Sequence, residues 1–207
     1  HTVIFKNEAH PEGLKVRSSM AIVEQETLVE AFSLEEGEDA FFIIEAAKEE
    51  QPQAPIAEQC EELNTKLQDT IHFWHQWIKT CKYTGDFAEH MKRSAITLKL
   101  MTSAKYGSTV AAPTYALPEK IGGDKNWDYR YAWVRDAAFT MYAFMRLGFI
   151  EEASHFMKWI YDLIDGDING DVELQIMYRI DGSRDLEEGE LDLEGYKQSQ
   201  PVRIGNA

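Results

Sequence analysis

Over the first fifty positions the apolar residues come in short runs, Val3 to Phe5, Leu14 to Val23, Thr27 to Phe32 and Ala40 to Ala46, separated by Gly13, Gly37 and acidic pairs. That spacing predicts antiparallel strands. Within the second run Val16, Ser18, Met20 and Ile22 alternate with Arg17, Ser19, Ala21 and Val23, so one face is apolar and the other mixed. Residues 1–50 therefore read as the closing part of a β-sandwich. Gln51-Pro-Gln-Ala-Pro55 follows as a proline-bearing linker, which sets a domain boundary at 51–56 and a second domain over 57–207.

Beyond the linker the apolar period lengthens from two to about 3.6, the spacing of helices. Ile71, Trp74 and Ile78, then Phe87, Met91, Ala95 and Leu98, mark two amphipathic helices joined by Tyr83-Thr-Gly-Asp86, with Gly85 as the turn and Asp86 as N-cap. Trp74 and Trp77 read as packing residues. The second helix is expected to end at Tyr106-Gly107, and a loop carrying Pro113 and Pro118 follows. A third helix is predicted over 136–147 with Gly148 as a left-handed C-cap. A fourth runs from Glu151-Glu152 through Phe156, Trp159, Ile160 and Leu163 to Gly166, with its acidic residues at the favourable end of the helix dipole. After Gly170 come a short apolar run, Val172 to Tyr178, and the acidic segment Asp181 to Glu194, read as a solvated loop or helix face. The fold class is mainly α, with successive helices joined by loops in the manner of part of an α/α toroid.

Composition narrows the function classes. The 207 residues carry a formal net charge of −15, which argues against nucleic acid, whose binding normally needs a basic footprint. No apolar run is long enough to span a bilayer as a helix. Cys60 and Cys81 have no metal or redox spacing and read as reduced helix residues, although spacing alone leaves a disulfide open. His72 and His75 lack a third ligand at matching spacing, so no metal is expected of them. The chain opens on His1 without a signal peptide and both ends look cut; a cytoplasmic location is favoured.

The densest chemistry lies between Gly122 and Asp136, where Trp127, Tyr129, Tyr131 and Trp133 sit beside Arg135 and Asp136. A pyranose offers an apolar C–H face to a ring and a rim of hydroxyls to polar groups. Arg supplies five donors in a fixed fork and a carboxylate only acceptors, so the pair at 135 and 136 suits adjacent hydroxyls. The same pattern also fits a strand with one face on a core and Arg135 and Asp136 satisfied by each other. Asp128 reads as a loop-fixing acceptor. Gly122-Gly123 lacks the lysine and hydroxyl residue of a phosphate loop.

Asn126-Trp-Asp-Tyr-Arg-Tyr-Ala-Trp-Val-Arg-Asp136 resembles the signature of glycoside hydrolase family 15, the glucoamylase and glucodextranase family, in its bacterial and archaeal branch. The likeness extends upstream through Arg93 to Leu100 and Ala111 to Glu119, and downstream through Leu174 to Tyr178, Leu193 to Tyr196 and Pro201 to Asn206. It covers residues 60–207 strongly and the first fifty only weakly.

The resemblance implies the end of an N-terminal β-sandwich followed by the first helices of an (α/α)6 barrel. It also implies an inverting, exo-acting α-glucosidase that releases glucose from non-reducing ends of an α-glucan or α-gluco-oligosaccharide without a cofactor. A trehalase or an isomalto-linkage hydrolase of the same family, and a non-catalytic carbohydrate-binding module, are the alternatives. Arg135 and Asp136 would hold the terminal glucose, Tyr129 and Trp133 would line its subsite, and Tyr196 and Arg203 would border the next sugar. Inverting hydrolysis needs an acid and a base, about 6.5–9.5 Å apart. The family's two glutamates lie in later motifs that this sequence does not contain, so no catalytic residue is assigned and the chain is expected to be inactive alone. With barrel neighbours missing, Phe139, Met145, Phe156 and Trp159 are expected to stand exposed or to drive self-association.

Overall fold

The computed structural model describes residues 2–7, 10–20, 32–47, 56–113, 117–165 and 174–206. All of the expected strand over Thr27–Phe32 except Phe32, and the proline-bearing linker Gln51–Pro55, lie outside them. Two compact units are present, His1–Phe73 and Trp74–Ala207, and the division falls within one long helix.

The first unit holds a three-stranded antiparallel sheet, β1 (Thr2–Asn7), β2 (His10–Ser18) and β3 (Phe42–Ala47), in the order β1-β2-β3. Val3 pairs with Val16 and Val16 with Ile44, while Phe5 pairs with Leu14, so these apolar residues fall on one face. That face is largely open, with Phe5, Leu14, Phe42 and Ile44 all exposed. On the other face Arg17 reaches Glu45 at 2.7 Å and Gln59 at 3.0 Å. Gln59 belongs to α1 (Ile56–Lys79), whose first part lies in this unit.

The second unit is helical, with the last turns of α1 followed by α2 (Ala88–Leu100), α3 (Val134–Leu147) and α4 (Ile150–Asp165). Its core gathers Ala137, Met141, Phe144 and Leu147 from α3 with Ala153, Phe156 and Trp159 from α4, the three-to-four spacing that keeps one helix stripe inward. Phe149 between the helices stacks on Trp77 at 4.1 Å, and Trp77 meets Phe144 edge-on at 6.4 Å, confirming Trp77 as a packing residue. Gly148 closes α3 at φ 96°, the left-handed cap expected of it. Two-residue strands β4 (Ala132–Trp133) and β5 (Met177–Tyr178) pair antiparallel, as do β6 (Gly189–Glu190) and β7 (Arg203–Ile204). The described fold is thus helix-rich with small antiparallel sheets, in keeping with a mainly α class.

Three local expectations need correction. Asp86 does not cap α2: the cap position is Phe87, in the left-handed region at φ 64°, with no side-chain cap, and the Asp86 carbonyl instead accepts from the Tyr83 hydroxyl. The second helix ends at Leu100, not at Tyr106-Gly107, because residues 101–110 fold back through a Thr102–Thr109 bridge. Gly107 belongs to that fold-back at φ 80°, against the His155 carbonyl. Finally, Phe156 and Trp159 are buried at 4% exposure because α4 lays that stripe on α3, whereas Phe139 and Met145 are exposed as expected.

One buried charge ties three helices. Glu152 of α4 accepts from Trp77 Nε1 of α1 at 2.6 Å and faces Lys99 Nζ of α2 at 3.0 Å. Burial pushes its carboxyl up, but the bonds from Trp77 and Lys99 outweigh that and hold it below its ordinary 4.5. A depressed folded value stabilises the protein above 4.5, and the contribution is lost as pH falls through the folded value. Glu152→Gln is expected to flatten the loss of stability below pH 4.5, read from urea midpoints of both proteins across that range. Parallel curves would show that Glu152 carries no part of the acid sensitivity.

Candidate active site

The stretch from Asn126 to Asp136 runs largely irregular, so the alternating rings do not form the single strand that their spacing also allowed. It is anchored by its backbone: Ala111 and Ala112 N–H groups donate to the Tyr131 and Tyr129 carbonyls at 3.0 and 2.9 Å, and Val134 N–H to the Ile176 carbonyl at 3.1 Å. Asp128 is buried to 1% exposure and accepts from the Arg130 backbone N–H, Nε and Nη2 at 3.1, 2.9 and 2.9 Å. It is the loop-fixing acceptor read from the sequence.

Four of the expected residues come together at the start of α3. The Tyr129 and Trp133 rings lie 5.9 Å apart at a tilt of 38°, and Tyr131 meets Trp133 edge-on at 6.5 Å from its buried position. Trp133 is the extended cap residue of α3, so Arg135 and Asp136 occupy its first turn. There the peptide dipole favours a carboxylate. Arg135 donates from Nε and Nη2 to one oxygen of Asp136, at 3.2 and 3.0 Å, and the side chains are 72% and 43% exposed. A guanidinium that uses one edge on one carboxylate oxygen keeps directional donors beside an acceptor, in the helical turn that directly follows Trp133. That arrangement suits a hydroxylated ring.

The other two expected residues sit elsewhere. Tyr196 is exposed at the start of a 3-10 turn, Tyr196–Gln198, with the Lys197 ammonium 5.3 Å from its ring. Lys197 and Gln198 both hold positive φ, 47° and 65°, a costly conformation for residues with a Cβ. The turn is tied to the head of the central stretch: Gly122 N–H donates to Ser199 Oγ at 2.9 Å and Gln200 N–H to the Gly123 carbonyl at 3.0 Å. Arg203 on β7 lies over the Trp127 ring at 5.7 Å and pairs with Glu188 at 3.3 Å and Glu190 at 3.8 Å. Part of its donor capacity is therefore already committed to protein.

Sequence reasoning did not single out a cleft of about 490 Å³ next to this cluster. Its polar walls are Asp128, Arg130, Arg179 and Asp181, and its apolar ones Val110, Pro113, Tyr131 and Ile180. Arg179 and Asp181 arrive there because β5 pairs with β4, a contact that no local motif announces. Among the described residues no group of histidine, cysteine and carboxylate side chains could hold a metal ion, and both cysteines are free. No described helix is long and apolar enough to cross a membrane.

Residues 85–207 match the family model of glycosyl hydrolases family 15, and the chain belongs to that family. It is 44% identical over 141 residues to a trehalase of Thermoplasma volcanium, an overlap covering 68% of this chain and 22% of that protein. It is 42% identical over 180 residues to a trehalase of Mycolicibacterium smegmatis, covering 84% of this chain and 25% of that one. Trehalase 1 of Sulfolobus acidocaldarius is 32% identical over 148 residues, covering 70% and 25%. The chain thus spans about a quarter of the length of the curated relatives it matches. No solved structure matches it.

Proposed function

We propose that this chain is the N-terminal part of an inverting, exo-acting α-glucosidase of family 15, and that the disaccharide trehalose is its substrate. The observation that carries the reading is the exposed Arg135–Asp136 pair in the first turn of α3, directly after Trp133, whose ring lies 5.9 Å from that of Tyr129. Arg135 and Asp136 hold hydroxyls of the terminal glucose, Tyr129 and Trp133 line its subsite, and Tyr196 and Arg203 border the second sugar. The preference for trehalose over an α-glucan rests on the names of the relatives. Residues 1–50 supply the end of a β-sandwich, in keeping with an open apolar sheet face, and 57–207 the first part of an (α/α)6 barrel. The acid and base are glutamates outside this chain, so the 207 residues alone bind without cleaving.

The test compares trehalose, maltose and isomaltose as substrates for the polypeptide read from the intact reading frame. Trehalose should show the highest kcat/KM, with β-glucose from the inverted centre and α-glucose from the leaving sugar first appearing in equal amounts. Faster cleavage of maltose would make the enzyme glucoamylase-like, faster cleavage of isomaltose would assign the α-1,6 linkage, and glucose released by residues 1–207 alone would overturn the placement of the acid and base.

A further inference from the structure

We propose that the cleft between Val110, Asp128, Arg130, Tyr131, Arg179 and Asp181 is a second binding site, for a neutral polyhydroxylated ligand of the saccharide class. None of Tyr129, Trp133, Arg135 and Asp136 lines it. Its volume, about 490 Å³, lies within the range of small-ligand sites, about 300–1,000 Å³.

The charges in the cleft select the ligand. Arg130 is matched by Asp128 at 2.9 Å, and Arg179 donates to the Asp185 carbonyl and faces the Asp185 carboxylate at 3.5 Å. Asp181 adds a further negative group to the wall. An anion entering here meets guanidinium groups whose field carboxylates already cancel, in a chain of net charge −15. A hydroxyl is served by both signs, because it accepts from a guanidinium and donates to a carboxylate. Val110 and Ile180 offer apolar surface to the C–H face of a sugar ring.

The wall is also organised in advance. Asp128 is fixed by its three bonds from Arg130, Asp181 accepts from the Ser183 backbone N–H and hydroxyl at 3.0 and 2.8 Å, and Arg179 is steadied over the Tyr131 ring at 5.9 Å. Groups already held in place lose little freedom when a ligand arrives.

The site is tested by titrating the full 207-residue chain with glucose and with trehalose while following backbone amide resonances. Shifts at Val110, Ile180 and Asp181 that persist in Arg135→Ala support the second site. In that event Arg179→Ala should weaken the binding about tenfold or more, the loss of one charge-assisted hydrogen bond. Val110→Trp, which fills the cleft without removing a charge, should abolish those shifts. Shifts confined to Tyr129–Asp136 and lost in Arg135→Ala would overturn this inference while leaving the proposed active site standing. Silence of the three amides with both sugars, or a response to inorganic phosphate alone, would overturn it too, as would unchanged affinity in Val110→Trp.

Discussion

Phe144→Ala is expected to cost about 3–5 kcal/mol of stability, the usual range for emptying a buried phenylalanine site. The ring is 0% exposed and has Trp77 edge-on at 6.4 Å and Phe149 edge-on at 5.9 Å. All three residues are large and mutually constrained, so the cavity has little freedom to collapse. Urea unfolding checks it through a lowered midpoint with an unchanged slope. Phe139→Ala on the same helix is the internal comparison. Its side chain is 73% exposed, so its truncation should stay within about 0.5 kcal/mol. Equal losses at the two positions would mean that α3 turns a different face to the core.

Arg135→Ala is expected to lower kcat/KM of the intact enzyme by at least about a hundredfold. The guanidinium would lose two charge-assisted hydrogen bonds to sugar hydroxyls, each worth about 1.5–3 kcal/mol, and about 1.4 kcal/mol is a factor of ten. The change also leaves Asp136 without the partner that now lies 3.0 Å away. Both side chains are exposed in this structure, so stability should change little while catalysis collapses. Arg135→Lys keeps the charge but not the fork and should recover only part of the rate. A hundredfold loss with an unchanged urea midpoint supports a binding role. An unaltered kcat/KM in Arg135→Ala would remove Arg135 from the site and return the pair to mutual satisfaction at the start of a helix.

Much of the helical unit was legible because its signals are local. Gly148 closes α3, and Glu151-Glu152 with Phe156 and Trp159 mark α4, within about two helical turns. The likeness of Asn126 to Asp136 to family 15 was equally local, and the family match bears it out. Where a boundary depended on distant partners, reading along the chain failed. Nothing near Leu100 announces that the chain folds back there, since the reason is a bridge from Thr102 to Thr109 and a Gly107 seated against His155. Phe156 and Trp159 are buried by a contact between α3 and α4, which the period of α4 alone does not state.

The same division holds for the sites. Tyr129, Trp133, Arg135 and Asp136 lie within eight positions of one motif, so the family resemblance could nominate them from a short local stretch, and the backbone then brings the two rings to 5.9 Å. Arg179 and Asp181 could not be nominated in that way. Taken alone, the sequence determined the family, the helical character of its larger part and the local cluster of rings and charges, because each rests on neighbours along the chain. Only the tertiary structure decided that Glu152 ties three helices, that Arg203 lies over Trp127 with part of its donor capacity on two glutamates, and that a charge-balanced cleft opens beside the cluster. Those features arise from β4 meeting β5, β6 meeting β7 and α4 lying on α3, contacts between distant residues that no local period encodes.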